Sequence, residues 1–237
     1  MSILDTYNLR ARVAPVFVVS IPAIFAIAAC APQALSLKLG SAATAVSIGL
    51  SMFVTQFGRN FGKRKEAALW ESWGGPPTTQ LMRHRNSQFN PVLRSRYHAH
   101  LQRLCQNIRI PTAEEEARDP NSADQIYSAL TRFLIGATRD TKRFPLVFKE
   151  NINYGFLRNL WGLKPFGLVI SVLGASTCTF RLWIVYLDVR LILPASVVGL
   201  LISFALLLAW LFWVTPTAVR VPANAYAERL LEASEQL

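Results

Sequence analysis

The chain has 237 residues, 52 % of them hydrophobic, and still carries a formal net charge of +11. That pairing excludes an ordinary soluble domain: so apolar a chain holds so one-sided a charge only if charge and apolar surface are sorted into separate stretches. Three cysteines, Cys30, Cys105 and Cys178, are odd in number and far apart, which excludes a disulfide framework and a CxxC zinc pattern.

Arg10 and Arg12 precede the first apolar run, Ala14 to Pro32, which has no charge. The second run, Leu39 to Gly58, has none either. A helix rises about 1.5 Å per residue, so ~20 residues cross ~30 Å of hydrocarbon. Both runs read as membrane spans, at 14–32 and 39–58, joined as a hairpin by a short link. Pro15 and Pro22 can kink the first. Ile27-Ala28-Ala29-Cys30 also fits a lipoprotein signal that would leave Cys30 lipidated after cleavage, but retention as a helix is the expectation. In the second run Ser47, Ser51 and Thr55 fall four apart, with Thr44 nearer the outer end. Such a stripe serves close helix packing or, in an oligomer, lines a pore.

Residues 59–164 hold eighteen Lys and Arg against nine acids. By the positive-inside rule this segment is cytoplasmic, and four crossings place both termini there too. Arg59 to Lys65 reads as a juxtamembrane anchor for anionic headgroups. Gly58 to Lys63 fails as a phosphate loop, because the spacing is one residue short and Arg64 replaces the magnesium-binding Ser or Thr. Gly74-Gly75-Pro76-Pro77 ends a helix and fixes a bend, with Trp70 and Trp73 packed in a small core.

Pro91 to Ile108 reads as a helix with the stripe Leu93, Tyr97, Leu101, Leu104 and Ile108. Arg94, Arg96, His98, His100 and Arg103 lie mostly off that stripe. With Arg83, Arg85 and Arg109 they make a cationic surface, and the planar guanidinium fork suits phosphate. Arg83, Arg85, Arg94, Arg96 and Arg103 are therefore the candidate residues for binding an anionic ligand, a nucleic acid or nucleotide. A solvated or lipid-facing surface is the alternative. His98 and His100 point in different directions on a helix, and no carboxylate stands at a ligand spacing, so neither metal nor cofactor is expected.

Thr112 to Glu115 and Ser122 to Gln125 read as capping boxes that start two helices. The second helix carries Ile126, Tyr127, Leu130, Phe133 and Leu134 on one face. Glu114, Glu115 and Glu116 suit a helix N-terminus, and no catalytic constellation is visible. Residues 138–156 alternate apolar and polar, which predicts a short extended piece. Arg158 to Pro165 reads as an interfacial elbow, with Asn151, Asn153 and Asn159 as nearby caps.

Pro165 to Leu187, broken only by Arg181, and Leu191 to Val219 make a second hairpin with spans at 165–187 and 193–215. Trp161, Trp183, Trp210 and Trp213 lie near helix ends, where indoles prefer the interface. The expected fold is an all-α membrane protein of two transmembrane hairpins, with a mostly helical cytoplasmic domain inserted between helices 2 and 3. Its parts are 1–58, 59–164, 165–219 and a cytoplasmic tail at 220–237.

Arg59-Asn60-Phe61-Gly62-Lys63-Arg64-Lys65, Trp73-Gly74-Gly75-Pro76-Pro77-Thr78, Thr138-Arg139-Asp140 and Glu150-Asn151-Ile152-Asn153-Tyr154-Gly155-Phe156 sit in a plan of two hairpins around a basic segment. In layout, along the whole chain, this resembles the four-helix membrane effectors and sensors of bacterial anti-phage defence systems. The resemblance implies oligomerisation, a response to a nucleotide, nucleic acid or membrane disturbance, and permeabilisation of the inner membrane. It implies a gate and no particular site residue. The expectation is a homo-oligomeric inner-membrane channel or membrane-disrupting effector that senses an anionic ligand. The alternative is a non-conducting anchor or scaffold that recruits a soluble partner. Membrane lipids and further copies of the chain are the expected neighbours.

Overall fold

Apolar sequence sustained over many turns must meet either lipid or a protein core. The computed structural model describes residues 6–30, 59–189 and 194–237. The expected span at 39–58 and its hydroxyls Thr44, Ser47, Ser51 and Thr55 lie outside the described residues. Among the described residues the regular elements are helices, with no strand. Three helical stretches are long and apolar enough to cross a membrane: Asn8–Cys30, Pro145–Leu187 and Pro194–Trp213. The chain divides into two compact units, an apolar one of residues 1–65 and 155–219 and a polar one of residues 66–154 and 220–237.

In the apolar unit a π-helical turn, Asn8–Val13, leads into α1, Ala14–Cys30. The first span therefore begins earlier than the uncharged run predicts, since Arg10 and Arg12 sit inside the helical stretch. Helix α2 covers residues 59–73. Two expectations fail at α7, Pro145–Val189. The extended piece is absent: Pro145 stands in the first turn, where its fixed φ and missing N–H cost nothing, and helix follows directly. The elbow is absent too. Pro165 lies inside the helix, where it removes only the bond that would reach the Trp161 carbonyl. The last apolar helix is α8, Pro194–Leu208, which runs on as the π-helical turn Ala209–Trp213.

Small residues along α7 let its neighbours come close. A Cβ on Gly155 would lie 3.1 Å from Ala11 Cβ, and one on Gly162 would lie 2.8 Å from Gly62 Cα. A Cβ on Gly167 would lie 2.6 Å from Trp210 Cδ2, and one on Gly174 would lie 2.8 Å from Pro22 Cβ. Further along, Cys178 is buried against Gly199 of α8. Trp210 is consequently a packing residue, fully buried, whereas Trp183 and Trp213 are exposed. Asn159 caps nothing: it is buried mid-helix and its Nδ2 donates to Ala11 O at 2.7 Å.

In the polar unit the glycine pair ends α2 as its composition requires. Gly74 N–H donates to Glu71 O and Gly75 N–H to Trp70 O, with φ of 86° and 128° that only glycine adopts freely. Pro77 opens α3, Pro77–Met82. Helix α4, Pro91–Leu104, stops short of Ile108 because Gln102 grips the next loop, donating to Ile108 O and accepting from Ile110 N–H. The Thr112–Glu115 capping box opens α5, Ala113–Arg118. The second box is displaced. Asp119 caps α6, Pro120–Ala137, by accepting from Ser122 N–H, so the helix starts ahead of the expected serine. Its buried stripe is Ala123, Tyr127, Leu130 and Leu134, which turns Phe133 outward. Residues 220–237 lie in α9, Pro216–Glu232, and a 3-10 turn, Ala233–Gln236, and bring Leu230 and Leu231 into the same core as Leu101 and Leu130.

The contact of Gly167 with Trp210 sets a test. Gly167→Ala should cost about 1–3 kcal/mol by overpacking. Gly136→Ala, where the new methyl meets nothing within 4 Å, should gain about 0.5–1 kcal/mol. Thermal unfolding of the detergent-solubilised variants measures both.

Candidate functional site

A carboxylate removed from water needs donors around it. Glu116, in α5, is 2 % exposed and has four. Its oxygens accept from His84 N–H at 2.8 Å, Tyr127 OH at 2.8 Å, Arg85 N–H at 3.4 Å and Arg85 Nη1 at 3.3 Å. Burial alone would raise its pKa, but the hydrogen bonds from His84, Tyr127 and Arg85 outweigh it and hold the group below the usual carboxylate range. Glu116 thereby joins the loop after α3 to α5 and α6. The acidic run at Glu114 to Glu116 is more than a favourable start to a helix.

Two histidines lie in the same cluster. His98 Nε2–H donates to Met82 O at 2.9 Å and His84 Nε2–H to Pro111 O at 3.0 Å, a carbonyl being able only to accept. The His98 ring stacks on Tyr127 and meets His84 edge-on. His98 therefore faces the core, where the stripe of α4 places it beside Tyr97 and Leu101. Burial first, then the neighbouring His84, lowers its pKa to about 4. Among the described residues no three His, Cys, Asp or Glu side chains form a group that could hold a metal ion.

The five candidate arginines are engaged in different ways. Arg83 forms a fork on Asp124, Nε to Oδ1 at 2.8 Å and Nη2 to Oδ2 at 2.6 Å, and Nη1 donates to Gly74 O. Its side chain is 13 % exposed. A Cβ at Gly75 would lie 2.7 Å from Arg83 Nη2, so the glycine turn also makes room for this fork. Arg94 Nη1 donates to Asn86 O at 2.5 Å and Arg83 O at 3.3 Å, tying α4 to the loop before it. These two guanidiniums are spent on the fold. Arg85 pairs with Glu116 and, at 3.9 Å, with Asp124, yet stays 46 % exposed. Arg96 pairs with Glu235 of the C-terminal turn and is 58 % exposed. Arg103 is exposed and its Nε reaches only Ala99 O. Exposed pairs of this kind contribute about 0–1 kcal/mol.

A shallow recess of about 360 Å³ opens between the loop before α5 and the start of α6, lined by Arg109, Arg118, Glu115, Asp119 and Ser122. Both acids there are engaged, Glu115 with Thr112 N–H and Arg109, Asp119 with Ser122 N–H. Comparison with protein families, characterised proteins and solved structures yields no match.

Two outcomes follow from this cluster. Glu116→Ala leaves several buried donors unpaired and should cost about 3 kcal/mol, against less than about 1 kcal/mol for Arg96→Gln, measured by thermal unfolding. Stability should also depend on pH in a stated sense. A histidine near 6.5 when unfolded and near 4 when folded binds its proton more tightly in the unfolded chain. Its contribution, about 3 kcal/mol, is present above pH 6.5 and lost as the pH falls to about 4. Glu116, also depressed, loses stability in the same direction at the acidic end. His98→Gln should flatten the upper part of that profile.

Proposed function

We propose that the chain is a multi-pass protein of the bacterial inner membrane, with both termini and the polar unit in the cytoplasm. In this reading it acts as a homo-oligomeric channel or membrane-disrupting effector that responds to an anionic ligand, a nucleotide or nucleic acid. The observation that carries the reading is the state of Arg85, Arg96 and Arg103. Their guanidiniums face solvent: Arg96 pairs with the half-buried Glu235, Arg103 reaches a backbone carbonyl, and Arg85 keeps an exposed side although it also holds the buried Glu116. At Arg96 and Arg103 a phosphate can replace these partners at little cost, since a solvent-exposed contact contributes about 0–1 kcal/mol, whereas at Arg85 it meets the exposed side and leaves Glu116 in place. Arg83 and Arg94 then shape the turn that presents Arg85. A ligand that favours the open packing of the membrane helices by a few kcal/mol suffices to shift the population.

The second reading, a non-conducting anchor that recruits a soluble partner, draws on a different observation. Phe133 and Ile135 stand exposed on α6, on either side of its buried stripe. Dye-loaded liposomes holding the purified chain separate the two readings. A channel releases dye or ions in at least one state, whereas an anchor releases none in any. In cells carrying a membrane-potential dye, the combined Arg85→Gln, Arg96→Gln and Arg103→Gln variant should insert normally and lose its depolarising response. Unchanged depolarisation under the same control would remove these arginines from the mechanism.

A further inference from the structure

The apolar unit is almost without acid: its sequence holds only Asp5 and Asp188 against eleven Lys and Arg. Two of those cations converge on one indole. Lys65 Nζ, from α2, and Lys164 Nζ, from α7, each lie 5.3 Å from the centre of the Trp161 ring. The glycine crossing brings them together. Gly62 and Gly162 touch backbone to backbone, so that Lys65 lies one turn along α2 from the crossing and Trp161 and Lys164 flank it on α7. The indole face attracts both ammoniums. It does not neutralise them, and each charge opposes the other: burial first, then Lys164, lowers the pKa of Lys65.

The hydrogen-bond inventory is equally one-sided. Lys164 Nζ donates to Val214 O at 2.9 Å and to Leu211 O at 3.4 Å, which uses two of its three N–H bonds and satisfies carbonyls left over at the end of α8. Lys65 has no acidic partner among the described residues of this unit. Beside the pair, Phe61 and Phe166 meet edge to face at 5.4 Å, and Phe166 is exposed. Two unneutralised ammoniums, an indole and an exposed phenyl side by side match a ligand with an anionic head and an apolar tail.

We propose that Lys65, Trp161 and Lys164 form a binding site for the phosphate of an anionic lipid headgroup, with the acyl chain running over Phe166. The site rests on the reading that these helices lie in a membrane, and not on conduction or on the arginines of the polar unit. The phosphate bridges the two ammoniums, taking the free N–H of Lys164 and those of Lys65, and the indole ring fixes both side chains.

The full chain in mild detergent, examined by native mass spectrometry, tests this with three probes: phosphatidylglycerol, phosphatidylcholine and inorganic phosphate. The wild type should retain phosphatidylglycerol in preference to phosphatidylcholine, and millimolar inorganic phosphate should not displace it. Lys65→Gln with Lys164→Gln should weaken phosphatidylglycerol retention roughly thirtyfold, about a factor of five for each charge lost, while Lys65→Arg with Lys164→Arg keeps it. If losing the Lys164 contacts to α8 unfolds the double variant, Lys65→Gln alone decides, with a loss of about fivefold. Unchanged retention in the glutamine variants overturns the site. Displacement by inorganic phosphate overturns the lipid as its occupant. Loss of depolarisation with lipid retention intact would bear on the gating reading alone, and a chain that is soluble without detergent would remove the membrane premise itself.

Discussion

Helices surrounded by lipid gain nothing by hiding apolar side chains from one another, because the tails outside are as apolar as the leucines inside. What remains is close approach of backbones and the dispersion contacts it allows. Along α7 that approach is made by Gly155, Gly162, Gly167 and Gly174, each with a neighbour where a Cβ would stand. The N-terminal turn, α1, α2 and α8 all meet this one seam. Trp210 fills the largest share of it, lying where Gly167 has no side chain. The hydroxyls of Ser171, Ser196 and Ser203 are buried in the same unit and have no hydrogen-bond partner among the described residues. They act there mainly through their small size.

The polar unit solves a different problem. It is rich in charge, and its helices are short, so its fold leans on a few polar contacts as well as on its leucine core. The buried ones do most of the holding. Arg83 and Asp124 close a two-bond fork, and Glu116 gathers donors from three segments. The exposed pairs, such as Arg96 with Glu235 and Arg109 with Glu115, lie where water and salt weaken them. This division separates residues that build the domain from residues free to meet something else, and the five arginines fall on both sides of it.

Much of the helical plan was legible. Apolar runs marked the three helices among the described residues that are long enough to cross a membrane, the Thr112–Glu115 box marked α5, and the double glycine marked the end of α2. The misreadings have two causes: local breakers that the helix tolerates, and partners across the fold that local pattern does not show. Pro165 and the alternation after Thr138 looked like breaks, yet α7 runs through both: a proline inside a helix loses one bond and crowds the carbonyl four residues back, and a long helix can tolerate that. His98 read as a surface cation because helical periodicity assigned it to the polar side, and Arg83 because it stands near that basic helix in sequence. Their burial depends on Met82 O, Tyr127 and Asp124, as many as forty-one positions away. Asp119 carries a local signal of its own, an acid directly before a proline at a helix start. Nothing in the chain order announced that Lys65 and Lys164 would share one indole.

The seam on α7 also limits how this sequence can drift. Gly155, Gly162, Gly167, Ser171, Gly174 and Cys178 recur at steps of three to seven, and the fold asks of them small volume more than chemistry. At exposed positions of the helix such as Val169, Val172, Leu173 and Phe180, a leucine, valine or phenylalanine can replace another with little consequence, since lipid accepts them all. Descendants of this chain could therefore lose nearly all recognisable identity along their lipid-facing sides while this sparse rhythm of small residues persists. The rhythm, and not overall likeness, is the mark by which distant kin would be known.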